Sequence, residues 1–530
     1  MYKGYKYIEE GMLHDEITQR IGVHQKVQNF LDRQLQIPRG VEPLNFYAKL
    51  NVDERKKLLK SIKNAFPNKN WSDYKGCVPE VTDYVETCQT GSLKQLRQDE
   101  FTDFTFDIKV NNDYLFIYDQ YIRFETEEPE LDISKIPDSI ANFDIENVRF
   151  RYVAKPGIRL FHEYNLGCDT ANVQTIQQDE VLLKDKHYIP TNLTDLWNEH
   201  IGHDLGVESN VVLPDTDAIM VQKLKLGYQT PKKQQNGLRL MVPLFFNHNE
   251  THENRLNTGM MTKNTLSVRG QLQKSNMMVT AEYYDGVEDP IKLECLPLKV
   301  KKFNLVTCYV HLDDVMHALS LTVSWNRLVS LVDVKYYHIK DLEEPIVLRG
   351  QATSEAMTIS VRPFNYANDF DKWLEFGEVE EVCTQVPIVI NDINGDPGQL
   401  AISPTKYLRP VQILEKIGFE YGEEFIKSPQ PPEIYDLVVK SKLTKNTRKL
   451  NAKADDGLYM LLFNELYLTN QISCLYNQAS LFEPILRLEL RKDMMNAEQI
   501  LNEKYTVTVF THMLNFISSY GRSFGLNYMF

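Results

Sequence analysis

The sequence predicts an all-β protein, two antiparallel sandwiches side by side, preceded by a helical arm. Three observations point there. The apolar period changes from 3.6 to 2 near residue 95. Two strand-rich blocks of similar size follow, the second starting near Leu293. The last stretch, Tyr505 to Phe530, reads as a pair of strands that close the fold. A supply of 28 Tyr and 25 Phe against four Trp suits strands better than helical bundles.

The arm comes first. Leu13, Ile17 and Ile21, then Val27, Phe30, Leu31 and Leu35, fall at helical spacing. A second helix begins at Asn51, with Glu54 three positions on in the manner of a capping box, and stops before Pro67. Leu58, Leu59, Ile62 and Phe66 form its stripe. An arm packed on its own body explains this pattern; an arm gripping a neighbouring subunit or a membrane is the alternative. The expected bounds are 1–95 for arm and lead-in, 96–290 for the first sandwich and 291–530 for the second.

In the first block Phe104, Phe106, Ile108 and Val110 alternate with Thr105, Asp107 and Lys109, and Asn111-Asn112-Asp113 turns the chain. Tyr114 to Phe124 follows as a more continuously apolar strand. Further strands are expected around 148–153, 159–165, 238–246 and 265–272, with long loops over 174–192 and 205–217. In the second block Leu319, Leu321, Val323 and Trp325 alternate with Ser320, Thr322 and Ser324. Leu328 to Ile339 and Met357, Ile359 and Val361 repeat the pattern. Pro387–Ile390 runs into the turn Asn394-Gly395-Asp396-Pro397-Gly398, and residues 428–432 (SPQPP) make a stiff surface connection.

At the end of the chain, Phe524, Leu526, Tyr528 and Phe530 share one face of an expected strand. Its partner, Tyr505 to Phe516, carries Val507 and Val509 on one parity and Leu514 and Phe516 on the other, which predicts a bulge near Thr511–Met513. Residues 518–522 (SSYGR) are the expected turn.

Composition narrows the function. At 530 residues the chain has room for two or three domains. A net charge of −14 argues against nucleic-acid binding by the whole protein. Seven scattered cysteines, odd in number and without CxxC, form a reduced, cytosolic pattern. The opening MYKGYKYIEEG lacks the apolar core of a signal peptide, and no apolar run reaches transmembrane length. Sequons stand at Asn70, Asn192 and Asn249, as such triplets also do by chance.

The search for chemistry yields little. No GxxxxGK[ST] phosphate loop is present, and no GxSxG stands on the strand-to-helix turn of a nucleophile elbow; residues 521–525 (GRSFG) spell it only within the expected closing turn and strand. His200 and His203 with Asp204, and His248 and His252, have metal-like spacing, but the second pair is not HExxH and both read as water-exposed loop histidines. Asp313-Asp314 between His311 and His317 reads as surface. Asp392, Asn394, Gly395 and Asp396 fall short of a calcium loop. Basic residues cluster at Lys440, Lys442, Lys445, Arg448, Lys449 and Lys453, at Lys299, Lys301 and Lys302, and at Lys223, Lys225, Lys232 and Lys233. They read as solvated loops or as contacts with an acidic neighbour, whether the protein's own surface or a lipid headgroup. No catalytic, cofactor-binding or metal residue is assigned, and no enzyme is expected.

Several segments, in order, resemble the double jelly-roll major capsid proteins of large eukaryotic DNA viruses, of the iridovirus and African swine fever virus kind. Residues 104–108 (FTFDI) through 121–124 (YIRF) resemble that family's opening strand pair, and 148–152 (VRFRY) with 156–161 (PGIRLF) and Gly167 the next. Leu196-Trp197-Asn198 fits the region just beyond. Residues 238–247 (LRLMVPLFFN) are similar to its apolar Pro-Leu-Pro-Phe-Phe strand. Residues 371–377 (DKWLEFG) resemble a Trp-x-x-Phe-Gly element, 457–463 (GLYMLLF) the strand before the last loops, and Val509 to Tyr528, with Asn515, Gly525 and Leu526, the closing hairpin. The family's Ala-Leu-Pro run after Asn247 and its Pro-Ser-Gly-x-x-Asn-x-Ser-Arg element near 469–479 are replaced here, and the arm has no counterpart.

The resemblance implies two consecutive eight-stranded jelly rolls in a major capsid protein, a structural protein of the virion assembled in the host cytoplasm. It implies a homotrimer forming a pseudo-hexagonal capsomer of an icosahedral capsid, in contact with neighbouring capsomers and with minor capsid or penton proteins. An internal membrane would be met through the arm; no direct nucleic-acid binding or cofactor is implied. Insertions 174–217 and 374–405 would supply contact or tower loops. The alternatives are a trimeric scaffold that shapes an immature viral membrane, or a two-domain β-sandwich carbohydrate-binding protein or hydrolase with paired carboxylates in a cleft.

Overall fold

The structure is a computed structural model. It describes residues 81–108, 116–140, 142–169, 171–203, 207–212, 219–224, 228–229, 231–250, 256–258, 265–284, 290–311, 325–339, 345–348, 353–391, 397–421, 424–447, 450–465, 467, 475–477, 484–491, 505–520 and 523–526. Both expected arm helices, the alternation at 319–323, the turn at 394–396 and the last four residues lie outside the described residues.

Alternating Phe and Ile residues build the first sandwich. One sheet is ordered β1 (Val81–Cys88), β14 (Val300–His311), β3 (Phe116–Thr126) and β10 (Leu256–Asn257), with β9 (Arg239–Pro243) also on β3. The facing sheet is β2 (Thr102–Ile108), β11 (Leu266–Leu272), β5 (Phe161–Cys168) and β6 (Ala171–Gln177). β4 (Val148–Tyr152), β12 (Val279–Tyr283) and β13 (Ile291–Leu293) form a third, short sheet. In β2 the even-numbered residues Thr102, Phe104, Phe106 and Ile108 are buried, as a half-buried strand requires. Phe104 and Phe106 meet Phe303 of the opposite sheet at ring distances of 5.2 and 5.1 Å.

The second sandwich pairs β15 (Trp325–Ile339), β25 (Tyr505–Tyr520), β17 (Thr353–Pro363) and β22 (Leu458–Leu462) in one sheet, with β23 (Tyr476–Asn477) on β17 and β26 (Ser523–Leu526) on β25. The other sheet is β16 (Ile346–Val347), β24 (Ile485–Leu490), β20 (Leu414–Tyr421) and β21 (Glu424–Gln430). Met357, Ile359 and Val361 of β17 and Val507 and Val509 of β25 join Ile417, Phe419, Leu486 and Leu488 in the core between them.

Strand pairing departs from the expected bounds at one junction. β14 begins at Val300, in the block expected to be second, yet it pairs with β1 and β3. β1 itself lies in the expected lead-in. The closing hairpin forms, but β25 runs on to Tyr520, and Tyr520 pairs with Ser523, so only two residues turn the chain. The register of β25 against β15 is unbroken over Tyr505–Ser519. The shift lies in β17 instead, between Ser354 and Ala356, opposite Met513 and His512. Glu355 is the extra residue, and its carbonyl accepts from the backbone N–H of Phe463 and Asn464.

Stretches expected as loops are ordered. Residues 174–192 hold the end of β6 and helix α2 (Gln178–His187); α1 (Pro156–Arg159) precedes it and α3 (Thr194–Ile201) follows. β7 (Val207–Val212) and β8 (Ile219–Leu224) form a hairpin, and β18 (Glu378–Asn391) and β19 (Pro397–Val411) a longer one. Residues 428–430 of the expected connection belong to β21. α4 (Asn247–Glu250) and α5 (Val439–Thr447) complete the helices used below.

Candidate functional site

The two sandwiches meet along a seam that is both packed and charged. Trp373, Phe376, Leu458, Phe510 and Met513 of the second half extend the apolar cluster of the first. α2 runs through this contact with nearly every side chain buried, acidic and basic ones included. Its charges are paired. Asp179 Oδ2 accepts from Arg362 Nη2 at 2.7 Å, and Lys184 lies 3.1 Å from Glu180. Asp185 accepts from Lys155 Nζ at 2.5 Å and from Trp197 Nε1 at 2.7 Å. Such pairs are directional, and each must be met or the buried charge is costly.

Further along, His187 Nε2 donates to Asp456 Oδ2 at 2.7 Å, and Lys440 reaches Asp456 at 2.6 Å and Asp436 at 2.5 Å. Burial keeps the His187 pKa below its ordinary value despite the carboxylate. For Asp456 burial acts upward, but the His187 hydrogen bond and Lys440 outweigh it and bring its pKa to about 2. Tyr188 and Tyr467 join hydroxyls at 3.0 Å, and Tyr467 OH bonds His512 Nδ1 at 2.9 Å. His512 Nε2 meets Thr358 Oγ1 at 3.0 Å, and burial pushes the His512 pKa down to about 3.

Beside Asp179 and Arg362 the seam opens into a cleft of about 310 Å³. Arg159, Asp179, Arg362 and Trp373 line its depth, and Tyr336 and Phe364 its exposed rim. The Arg159 guanidinium lies 4.7 Å from the Trp373 ring centre. Burial lowers its pKa to about 9, which leaves it charged at neutral pH.

The residues singled out from sequence are scattered. His200 sits on α3, hydrogen-bonded by Nδ1 to the Met241 carbonyl at 2.9 Å and stacked on Tyr121. His248 is not a water-exposed loop residue: it is buried on α4, 2.8 Å from Gln120 Oε1, and burial lowers its pKa to about 3. Asp204, His252, Asp313, Asp314, His317 and residues 392–396 lie outside the described residues. Among the described residues no group of three His, Cys, Asp or Glu is placed to hold a metal. Nor does Lys440 stand in a solvated loop; it is buried at the start of α5 between two aspartates. Lys299 pairs with Glu130 at 2.8 Å, and Lys233 pairs with Glu146. Sequence reasoning missed α2 because its charged residues fall on all sides, which reads as a polar loop until both sandwiches cover it.

No family model matches the chain, and no curated protein is similar to it in sequence. Solved structures do match. The Faustovirus major capsid protein superposes with a TM-score of 0.60 at 13% identity, over 96% of this chain and 98% of that one. The fold is a double jelly roll. A PBCV-1 virus capsid structure matches this double jelly roll with a TM-score of 0.55 at 12% identity, over 88% of this chain and all (100%) of that one. A PBCV-1 structure fitted into a reconstruction of the virophage Sputnik gives 0.54 at 11%, over 88% and 100%. At such identities the shared property is the fold: two rolls in tandem, joined by the seam described above.

Proposed function

We propose that this chain is the major structural subunit of a virus capsid and acts by self-assembly. The observation that carries the reading is the tandem itself, two rolls side by side in one chain, matched over nearly full length by the Faustovirus major capsid protein. Three such chains would present six similar sandwiches in a ring, so a trimer would pack as a hexagon. We draw the boundary between the rolls after His311, where β14 completes the first sheet.

Exposed apolar side chains supply surface for assembly. Phe425 and Ile426 lie on the edge strand β21, and Ile434, Leu437 and Val438 follow on the next turn of chain, all exposed. Leu193 and Leu196 stand out at the start of α3. Side chains of this kind, left open on an edge, favour burial against another copy. The arm, if it meets neighbours, minor proteins or a membrane, does so from outside the described residues; among the described residues no helix is long and apolar enough to cross a membrane.

Light scattering after size exclusion tests the reading. A mass of three 61.7 kDa chains that resists dilution supports it. A monomer at micromolar concentration counts against it. Recovery of the trimer in mature particles separates a shell subunit from a scaffold that is shed.

A further inference from the structure

We propose that the cleft at the seam between the two rolls binds a carboxylate, held by the Arg159 guanidinium and the Trp373 indole N–H. Arg159 is 1% exposed and offers five N–H donors. Nη1 donates to Gln178 Oε1 at 3.3 Å and Nη2 to the Ala367 carbonyl at 3.1 Å. Nε is buried with no partner among the described residues, and so is Trp373 Nε1. Both side chains line the cleft. Unmet buried donors are costly, and a charged one more so.

The aspartates nearest the guanidinium are engaged elsewhere. Asp179 is held by Arg362 at 2.7 Å, and Asp369 accepts from the backbone N–H of Asp371 and Lys372 at 2.8 and 2.9 Å. Gln178 returns its amide to the Arg159 carbonyl at 3.1 Å, which holds the guanidinium in place over the indole. Two acceptor oxygens and one negative charge match a guanidinium edge and a neighbouring indole N–H. Glu163 also lines the cleft and repels a doubly charged phosphate more strongly than a singly charged carboxylate. Phe364 and Tyr336 at the rim offer aromatic faces to whatever carries it, a small molecule or an acidic side chain of another polypeptide.

Tryptophan fluorescence of the full chain, titrated with benzoate at constant ionic strength, tests this. A saturable change is expected, weakened about tenfold or more in Arg159→Gln, which loses a charged hydrogen bond. Trp373→Phe keeps a ring and removes the N–H, so its affinity, read by calorimetry, should fall several-fold while the unfolding midpoint stays close to that of the parent. A short peptide with one glutamate that competes with benzoate would assign the occupant to a polypeptide; failure to compete, with benzoate bound, would assign it to a small molecule. The proposal is overturned if benzoate gives no saturable response, as when water alone meets both donors. It is equally overturned if phosphate binds as well as benzoate, or if Arg159→Gln and Trp373→Phe both bind benzoate like the parent.

Discussion

The interior of the first roll and the seam between the rolls are both buried, yet they are built from different materials. Inside the roll, Phe104, Phe106, Phe124, Phe161 and Phe303 pack in tilted and edge-to-face pairs with no charge among them. At the seam, Asp179, Arg362, Asp185, Lys155, His187, Asp456 and Lys440 are packed together with apolar neighbours. Apolar contact is strong but non-directional, so it folds each roll without specifying how the two stand together. Ion pairs add little net stability when buried, but they accept one geometry and reject others. Apolar packing thus folds each half, and the ion pairs hold the two halves at one mutual angle.

That contrast can be broken by mutation. The largest effect is expected from Phe303→Ala, which empties the centre of the aromatic cluster and should cost about 4 kcal/mol in urea unfolding, with no single partner substitution restoring it. Asp179→Ala should cost about 3 kcal/mol because it strands Arg362 in the seam. Here the double variant with Arg362→Met should recover most of the loss, to within about 1 kcal/mol of the parent. If the double variant is no better than the single, the pair does more than neutralise charge.

Acid should probe the buried histidines, one in the first roll and one at the seam. His248 and His512 are neutral in the fold, with pKa values pushed down to about 3, whereas an unfolded histidine takes its proton near pH 6.5. The unfolded chain therefore binds more protons between these values, and stability must fall as pH drops from about 6.5 toward 3. Asp456, held at about 2, adds a further loss below about pH 4. Thermal unfolding midpoints should decline over pH 7, 5 and 4, and His512→Gln should flatten the decline. A flat profile in the parent would contradict the buried neutral histidines. The smallest change is expected from Tyr188→Phe, which removes one hydroxyl from the Tyr188–Tyr467–His512 chain and should cost about 1 kcal/mol.

Particular residues show how far the sequence could be read. The alternation in β2 and in β17 was legible because a strand with one apolar face has a period that survives without any knowledge of its neighbours. The same alternation hid the seam. On β17 and β25, Ser360, Thr358, Thr506 and Thr508 occupy the parity opposite to Ile359 and Val507, which reads as a solvent face, yet all four are buried. Small hydroxyl side chains look alike whether they meet water or another sandwich. The change of parity in β25 predicted a bulge in that strand, but β25 runs in unbroken register against β15 and the extra residue, Glu355, lies in β17 beside it.

By itself the sequence determined many of the core strands and the closing hairpin, because local period and turn chemistry carry that information. It also marked a chain without a phosphate loop or a strand-to-helix nucleophile elbow. Only the tertiary structure decided that β14 belongs to the first roll, that α2 is a helix clad in paired charges, and that Arg159 and Trp373 face one cleft. Those facts rest on contacts between residues far apart in the chain. A charged residue reads as exposed until the partner that neutralises it has been brought alongside.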